Sequence, residues 1–246
     1  MSYDLFADYY DRLMEDADYP GRTAYLLCLF EKHDRRPTLM LDAACGTGSF
    51  SLAFSGQGIE VIGADPAPAM LAVARERADR AGEHILFLCQ SAQELELYGT
   101  VDGAVCCMDS LNHIVEYGEF CRAVARIALF LEPGRLFIFD LNTSYKHRAL
   151  LADNVFVYEL DDLYLCWQNE TEGDITDITL DFFMQEPDGR YSRGCEEFSE
   201  RAYSPAEVEH ALEAAGLILE AVYDDMTEQP PRPDSQRLVY VTRRAV

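Results

Sequence analysis

Between residues 38 and 142 short apolar runs alternate with helical repeats. The runs are TLMLDAA (38–44), EVIGAD (60–65), ILFLCQ (85–90), VDGAVCCMD (101–109) and GRLFIFDLN (134–142). They are apolar nearly throughout, not at every second position, which marks strands buried on both faces. Between them SFSLAFS, PAPAMLAVARERADRAG and EFCRAVARIALFLEPG read as helices, the second ended by Gly82. Two further helices are predicted upstream, over 3–16 and 20–34. Strand and helix in strict alternation predict a parallel sheet covered by helices, with right-handed crossovers.

After residue 150 the pattern changes. Ile178, Leu180, Phe182 and Met184 fall on one face of an extended strand, and Asp188-Gly189 marks a hairpin turn. The segment 153–203 is read as two or three antiparallel strands inserted after the fifth parallel strand. Helical pattern returns at SPAEVEHALEAAGL, where Ser204, Pro205 and Glu207 form a capping box and Gly216 ends the helix. The runs 217–224 and 237–243 are too close for a helical crossover and should pair antiparallel. The fold class is α/β, a seven-stranded, mostly parallel, Rossmann-like sheet with a reversed terminal hairpin and a small inserted antiparallel sheet. Residues 1–152 and 204–246 would form the main domain and 153–203 a substrate lid or a homodimer surface.

Composition narrows the function classes. A net charge of -24 argues against nucleic acid or an anionic membrane as partner and suits a small neutral or cationic substrate. No run reaches membrane-spanning length, and the start MSYDLFADYYDRLMEDADYP lacks the features of a secretory signal, so a cytoplasmic protein is expected. The eight cysteines include no CxxC pair, and most lie in apolar runs, which predicts reduced, buried thiols. The five histidines form no ligand pattern, so no metal site is expected.

The sharpest local feature is LDAACGTGSF (41–50), a strand followed by a glycine turn and a helix start. Asp65 ends the next strand, where an acid can accept hydrogen bonds from both ribose hydroxyls of an adenosine. A dinucleotide fits poorly, because Ser51 stands where a third glycine is needed and Asp42 would repel a pyrophosphate. The same carboxylate favours a cofactor with an ammonium or sulfonium group, and S-adenosylmethionine carries both.

These motifs resemble the class I S-adenosylmethionine-dependent methyltransferase family along the whole chain. LDAACGTGSF is similar to that family's first motif, GADPAPAML (63–71) to its second-strand motif, and SAQEL (91–95) to the segment beside the adenine. DSLNH (109–113) sits at the fourth-strand end, and YDLFADYYDRLM resembles the first helix of a bacterial small-molecule subgroup that includes sugar N-methyltransferases with an inserted antiparallel sheet. The resemblance implies that Asp42 orients the turn near the methionine moiety, with Ala43, Gly46 and Gly48 lining it by backbone. It implies that Asp65 holds the ribose with Pro66 and Met70 nearby, that Ser91, Ala92 and Gln93 flank the adenine, and that Tyr3 or Tyr10 closes over the cofactor. The family's commoner glycine is Ala44 here.

Methyl transfer needs little catalytic equipment, and an amine acceptor needs one base or carboxylate. Asp109 and His113 are the candidates, although a helix cap and a packing histidine are the plain alternatives. Lys146, His147 and Arg148 read as surface charge near a hinge in preference to a substrate contact. Tyr164, Trp167 and Phe183 suit an acceptor pocket or the core of the small sheet equally well. The expected function is methyl transfer to a small-molecule acceptor, such as an amine. The alternative is a regulatory protein that binds the cofactor without turnover.

Overall fold

The computed structural model describes residues 9, 12, 13 and 17–246. Of the helix expected over 3–16, the three described residues are helical. Five parallel strands follow, β1 (Leu39–Ala43), β2 (Glu60–Asp65), β3 (Leu86–Cys89), β4 (Gly103–Cys106) and β5 (Leu136–Asn142). Helix α1 (Tyr19–His33) precedes them, and α2 (Ser49–Ser55), α3 (Pro68–Ala81) and α4 (Tyr117–Phe130) connect them. An insert of β6 (Val155–Leu160), β7 (Leu163–Glu172), β8 (Ile175–Gln185) and β9 (Tyr191–Arg201) leads to α5 (Pro205–Ala214), β10 (Leu217–Asp224) and β11 (Arg237–Arg244).

The main sheet has the order β3-β2-β1-β4-β5-β11-β10, with β11 antiparallel to both β5 and β10. One face packs α4 and α5 through Phe120, Val124, Ile127, Val208 and Leu212. The other packs α1 and α2 through Leu29, Phe30, Phe50 and Phe54, with α3 beside them on Phe87 through Leu71, Ala74 and Ala78. This double covering is why the strands carry no exposed polar face: β4 and β5 are buried at every position.

The structure departs from the sequence reading in three places. The insert holds four antiparallel strands, not two or three, because VFVYELDDLYLCWQ turns on itself at Asp161-Asp162, a hairpin without glycine. Asp188-Gly189 does form the next turn but one, with Gly189 at φ 82. The apolar run 101–109 yields only a four-residue β4, since Met108 and Asp109 adopt left-handed backbone, φ 58 and 53. Of the cysteines, all free, only Cys45, Cys106 and Cys107 are buried, while Cys28, Cys89 and Cys195 are exposed. Cys28 and Cys89 sit in apolar runs at positions that face water, and Cys195 lies among polar residues of β9.

The insert has its own core, Leu163, Leu165, Ile178, Leu180 and Phe182, on which Tyr9 and Leu13 also pack. Its last strand feeds α5 through the capping box read from sequence: the Ser204 hydroxyl accepts from Glu207 N while the Glu207 carboxylate accepts from Ser204 N at 2.9 Å. Ser204→Ala should lower stability by about 1 kcal/mol, the usual worth of such a cap. Urea denaturation would read this as a lower midpoint with an unchanged slope.

Candidate active site

Strands β1 and β4 are neighbours, yet the helices that follow them pack on opposite faces of the sheet. Their loops separate at the carboxyl ends and leave a crevice, the place where open α/β sheets bind ligands. Two adjoining hollows occupy it. The larger, about 360 Å³, is lined by Asp65, Pro66, Ala67, Met70, Ser91, Ala92, Gln93, Leu111, His113 and Ile114. The smaller, about 40 Å³, is lined by Tyr19, Asp42, Cys45, Thr47, Ser49, Phe50 and Cys107. Ala44, Gly46, Met108 and Ser110 are common walls of both.

The turn after β1 lies against β2. Ala44, Gly46 and Gly48 all have left-handed backbone, φ 56, 53 and 76. An alanine there carries strain that a glycine would not, which accounts for the family's preference at position 44. The Gly46 N–H donates to Asp65 Oδ2 at 2.9 Å and the Ala67 N–H to Oδ1 at 2.8 Å. Both carboxylate oxygens are thus held by backbone and keep lone pairs for further donors. Burial raises the Asp65 pKa above the ordinary carboxylate value, opposed by these two hydrogen bonds.

Asp42 is 2% exposed and accepts from the Ser51 hydroxyl at 2.5 Å. Burial pushes its carboxyl up to about 7, the Ser51 hydrogen bond working the other way. Ser51 therefore does not stand in for a missing glycine; it serves this acid. Gly48 does not line either hollow. A Cβ there would meet Ala74 at 3.0 Å and Phe87 at 3.2 Å, so this glycine serves packing of α3 and β3. Ala43 is buried at the end of β1, also behind the lining. Tyr3 and Tyr10 lie outside the described residues.

Of the two catalytic candidates, His113 lines the larger hollow and Asp109 does not. Asp109 accepts from Asn142 Nδ2 at 2.5 Å and from Arg237 Nη2 at 2.7 Å. Despite burial, Arg237 and then Lys146 hold its pKa well below the usual range. A carboxylate so paired is a poor proton acceptor. His113 instead meets the insert: its ring lies 5.0 Å from that of Phe198, and Nε2 is 3.8 Å from Glu200 Oε1.

Glu200 escaped the sequence reading. It is 5% exposed, and burial, reinforced by nearby Asp109, raises its pKa. Its other oxygen lies 3.3 Å from Asn142 Nδ2 and 3.6 Å from His147 Nε2. The available signal was register. Phe198 and Glu200 alternate on the face that continues Ile178, Leu180 and Phe182, so an acid interrupts an apolar face. The basic cluster is corrected with it: Arg148 is exposed and pairs with Asp174, but His147 is fully buried, 2.9 Å from Thr176 Oγ1. Burial lowers the His147 pKa to about 4, so the ring is neutral at pH 7.

Among the described residues no cluster of His, Cys, Asp or Glu is arranged to hold a metal, and no helix is long and apolar enough to cross a membrane. The site fits S-adenosylmethionine in two independent respects. Asp65 offers a rigid double acceptor to a ribose, and Asp42 is a buried acid with no cationic partner among the described residues.

Residues 40–134 match the family model described as a methyltransferase domain. The chain is 29% identical to YqeM of Bacillus subtilis (strain 168), which carries a provisional methyltransferase name, over 100% of this chain and 98% of that one. A crystal structure of an S-adenosylmethionine-dependent methyltransferase from Clostridium acetobutylicum ATCC 824 superposes with a TM-score of 0.90 at 26% identity, covering 99% of both chains. The sugar N-methyltransferase KedS8 from Streptoalloteichus sp ATCC 53650 shares the fold, with a TM-score of 0.80 at 21% identity over 99% of this chain and 93% of that one. Fold and site together define a class I S-adenosylmethionine-dependent methyltransferase with a small inserted antiparallel sheet. The chain is an S-adenosylmethionine-dependent methyltransferase, and it shares its fold with the sugar N-methyltransferase.

Two outcomes follow for cofactor binding. Asp65→Ala should weaken S-adenosylmethionine binding by about 1.5–3 kcal/mol, the scale of hydrogen bonds to a charged group, with native circular dichroism. Unchanged affinity in titration calorimetry would place the ribose elsewhere. The second concerns pH. A cation beside Asp42 favours its ionised form, so binding lowers a pKa that stands near about 7 in the free protein and releases a proton. Affinity should therefore rise between pH 6 and pH 8, by about threefold or more. A flat profile would contradict a cationic moiety at Asp42.

Proposed function

We propose that the protein methylates a small-molecule amine, with His113 taking the proton that the amine must lose and the 153–203 insert roofing the acceptor side. The observation that supports this reading is the position of His113. It stands on the cavity wall with Phe198 and Glu200 of the insert across from it. When bound, the sulfonium supplies an already activated methyl group. The protein then has to align the acceptor, keep water out and handle one proton.

An ammonium has no lone pair, so a cationic acceptor must be deprotonated before its nitrogen can attack. Imidazole is suited to that at neutral pH. Glu200, buried beside the ring with Oε1 3.8 Å from Nε2, would steady the charge that His113 gains. The overall charge of -24 favours the approach of a cation. The aromatic and apolar inner face of the insert, with Trp167 and Phe198 half-buried, offers a surface for the body of the acceptor.

The test is to incubate the protein with S-adenosylmethionine and panels of amines, phenols and carboxylates, and to follow release of S-adenosylhomocysteine. Turnover confined to amines, reduced about 10²–10⁴-fold in His113→Gln, is the expected result. Turnover confined to phenols or carboxylates would exclude the amine. Tight cofactor binding without turnover on any class would favour the regulatory alternative.

A further inference from the structure

We infer that Arg237 and Asp140 are positioning residues for the cofactor cavity, holding the Met108–His113 segment in the strained form that shapes one wall. Neither residue touches the hollows; they act from behind. Arg237 opens β11, and Asp140 lies near the end of β5, so the reversed hairpin reaches the cofactor site through them.

Met108 and Asp109 are successive non-glycine residues in the left-handed region, φ 58 and 53. Such backbone persists only where its surroundings over-determine it. Here both N–H groups point at one carboxylate: Met108 N donates to Asp140 Oδ2 at 2.8 Å and Asp109 N to Oδ1 at 2.6 Å. Arg237 spans the same acid and its neighbour, donating through Nη1 to Asp140 and through Nη2 to Asp109 at 2.7 Å. The guanidinium fork matches two acceptors at once, which a point charge cannot do. Asn142 completes the set on Asp109 Oδ2 at 2.5 Å, and Lys146 adds a second positive charge through Asn142 Oδ1 at 2.9 Å.

The consequence appears on the opposite side of the same backbone. Met108 and Ser110 form walls common to both hollows, and Leu111, His113 and Ile114 continue the wall of the larger one. Releasing the clamp would let Met108 and Asp109 relax towards ordinary backbone and would move this wall. Asp109 is thereby a member of the support and not of the chemistry.

The test uses S-adenosylhomocysteine as probe, titrated calorimetrically at a temperature where all variants are folded. Arg237→Met should weaken binding about tenfold or more, as small displacements of aligned groups do. Arg237→Lys should lie between Arg237→Met and the wild type. Val241→Ala, a buried position further along β11, is the control: its melting temperature should fall with unchanged affinity. If Arg237→Met does not fold, Asp140→Asn carries the same expectation of about tenfold weakening, since one N–H acceptor is exchanged for a donor. Wild-type affinity in Arg237→Met or Asp140→Asn would overturn the proposal. Equal weakening in Val241→Ala would also overturn it, because affinity would then merely follow stability. Failure of the wild-type protein to bind the probe would overturn this proposal and the methyltransferase reading together, and that outcome is visible before any variant is made.

Discussion

Two adjacent parallel strands whose connecting helices leave on opposite faces cannot close the space between their carboxyl ends. In this protein the strands are β1 and β4, and the rest of the site depends on the gap they leave. The turn after β1, the acid at the end of β2, the short segment after β3 and the left-handed loop after β4 all converge there. The insert leaves from the end of β5, one strand further along, so its last strand returns beside the loop after β4.

The gap gathers buried acids, and the fold treats each differently. Asp65 is held by two backbone N–H groups, and Asp109 and Asp140 share Arg237. Asp42 accepts from Ser51, a neutral partner, and Glu200 has one long amide contact with two histidines nearby. Burial of a carboxylate without a cation costs heavily, and the usual response is a raised pKa. Asp42, Asp65 and Glu200 all show that response, whereas Asp109 shows the opposite one. Asp42 stands by the turn after β1, Asp65 at the end of β2, and Glu200 on the insert beside His113. The acids bound by the Arg237 guanidinium serve architecture, and Asp65 and Asp42, held by neutral donors, keep lone pairs open to a ligand.

Much of this was legible in the sequence because it rests on local rules. Continuous apolar runs gave the parallel strands, the glycine turn and Asp65 pointed to the place where the structure has a crevice, and Ser204 with Glu207 gave a helix start that the structure reproduces bond for bond. Misread features depend on partners distant in sequence. Asp109 looked catalytic because it sits at a strand end, but Arg237, 128 positions away, claims it. His147 looked like surface charge because its neighbours are Lys146 and Arg148, but Thr176 and Glu200 of the insert enclose it. The four-stranded insert was undercounted because the Asp161-Asp162 turn lacks glycine and because Val155 and Val157 are exposed apolar residues on an edge strand, where alternation carries no signal.

The measurement that bears most directly on this account is a crystal structure of the protein with S-adenosylhomocysteine. The account predicts both ribose hydroxyls within hydrogen-bond distance of Asp65, the amino group beside Asp42, and the sulfur facing the side where His113 meets Glu200. A ribose bound away from Asp65, or a sulfur more than about 10 Å from the nearest atom of β9, roughly one sheet-packing distance, would contradict it.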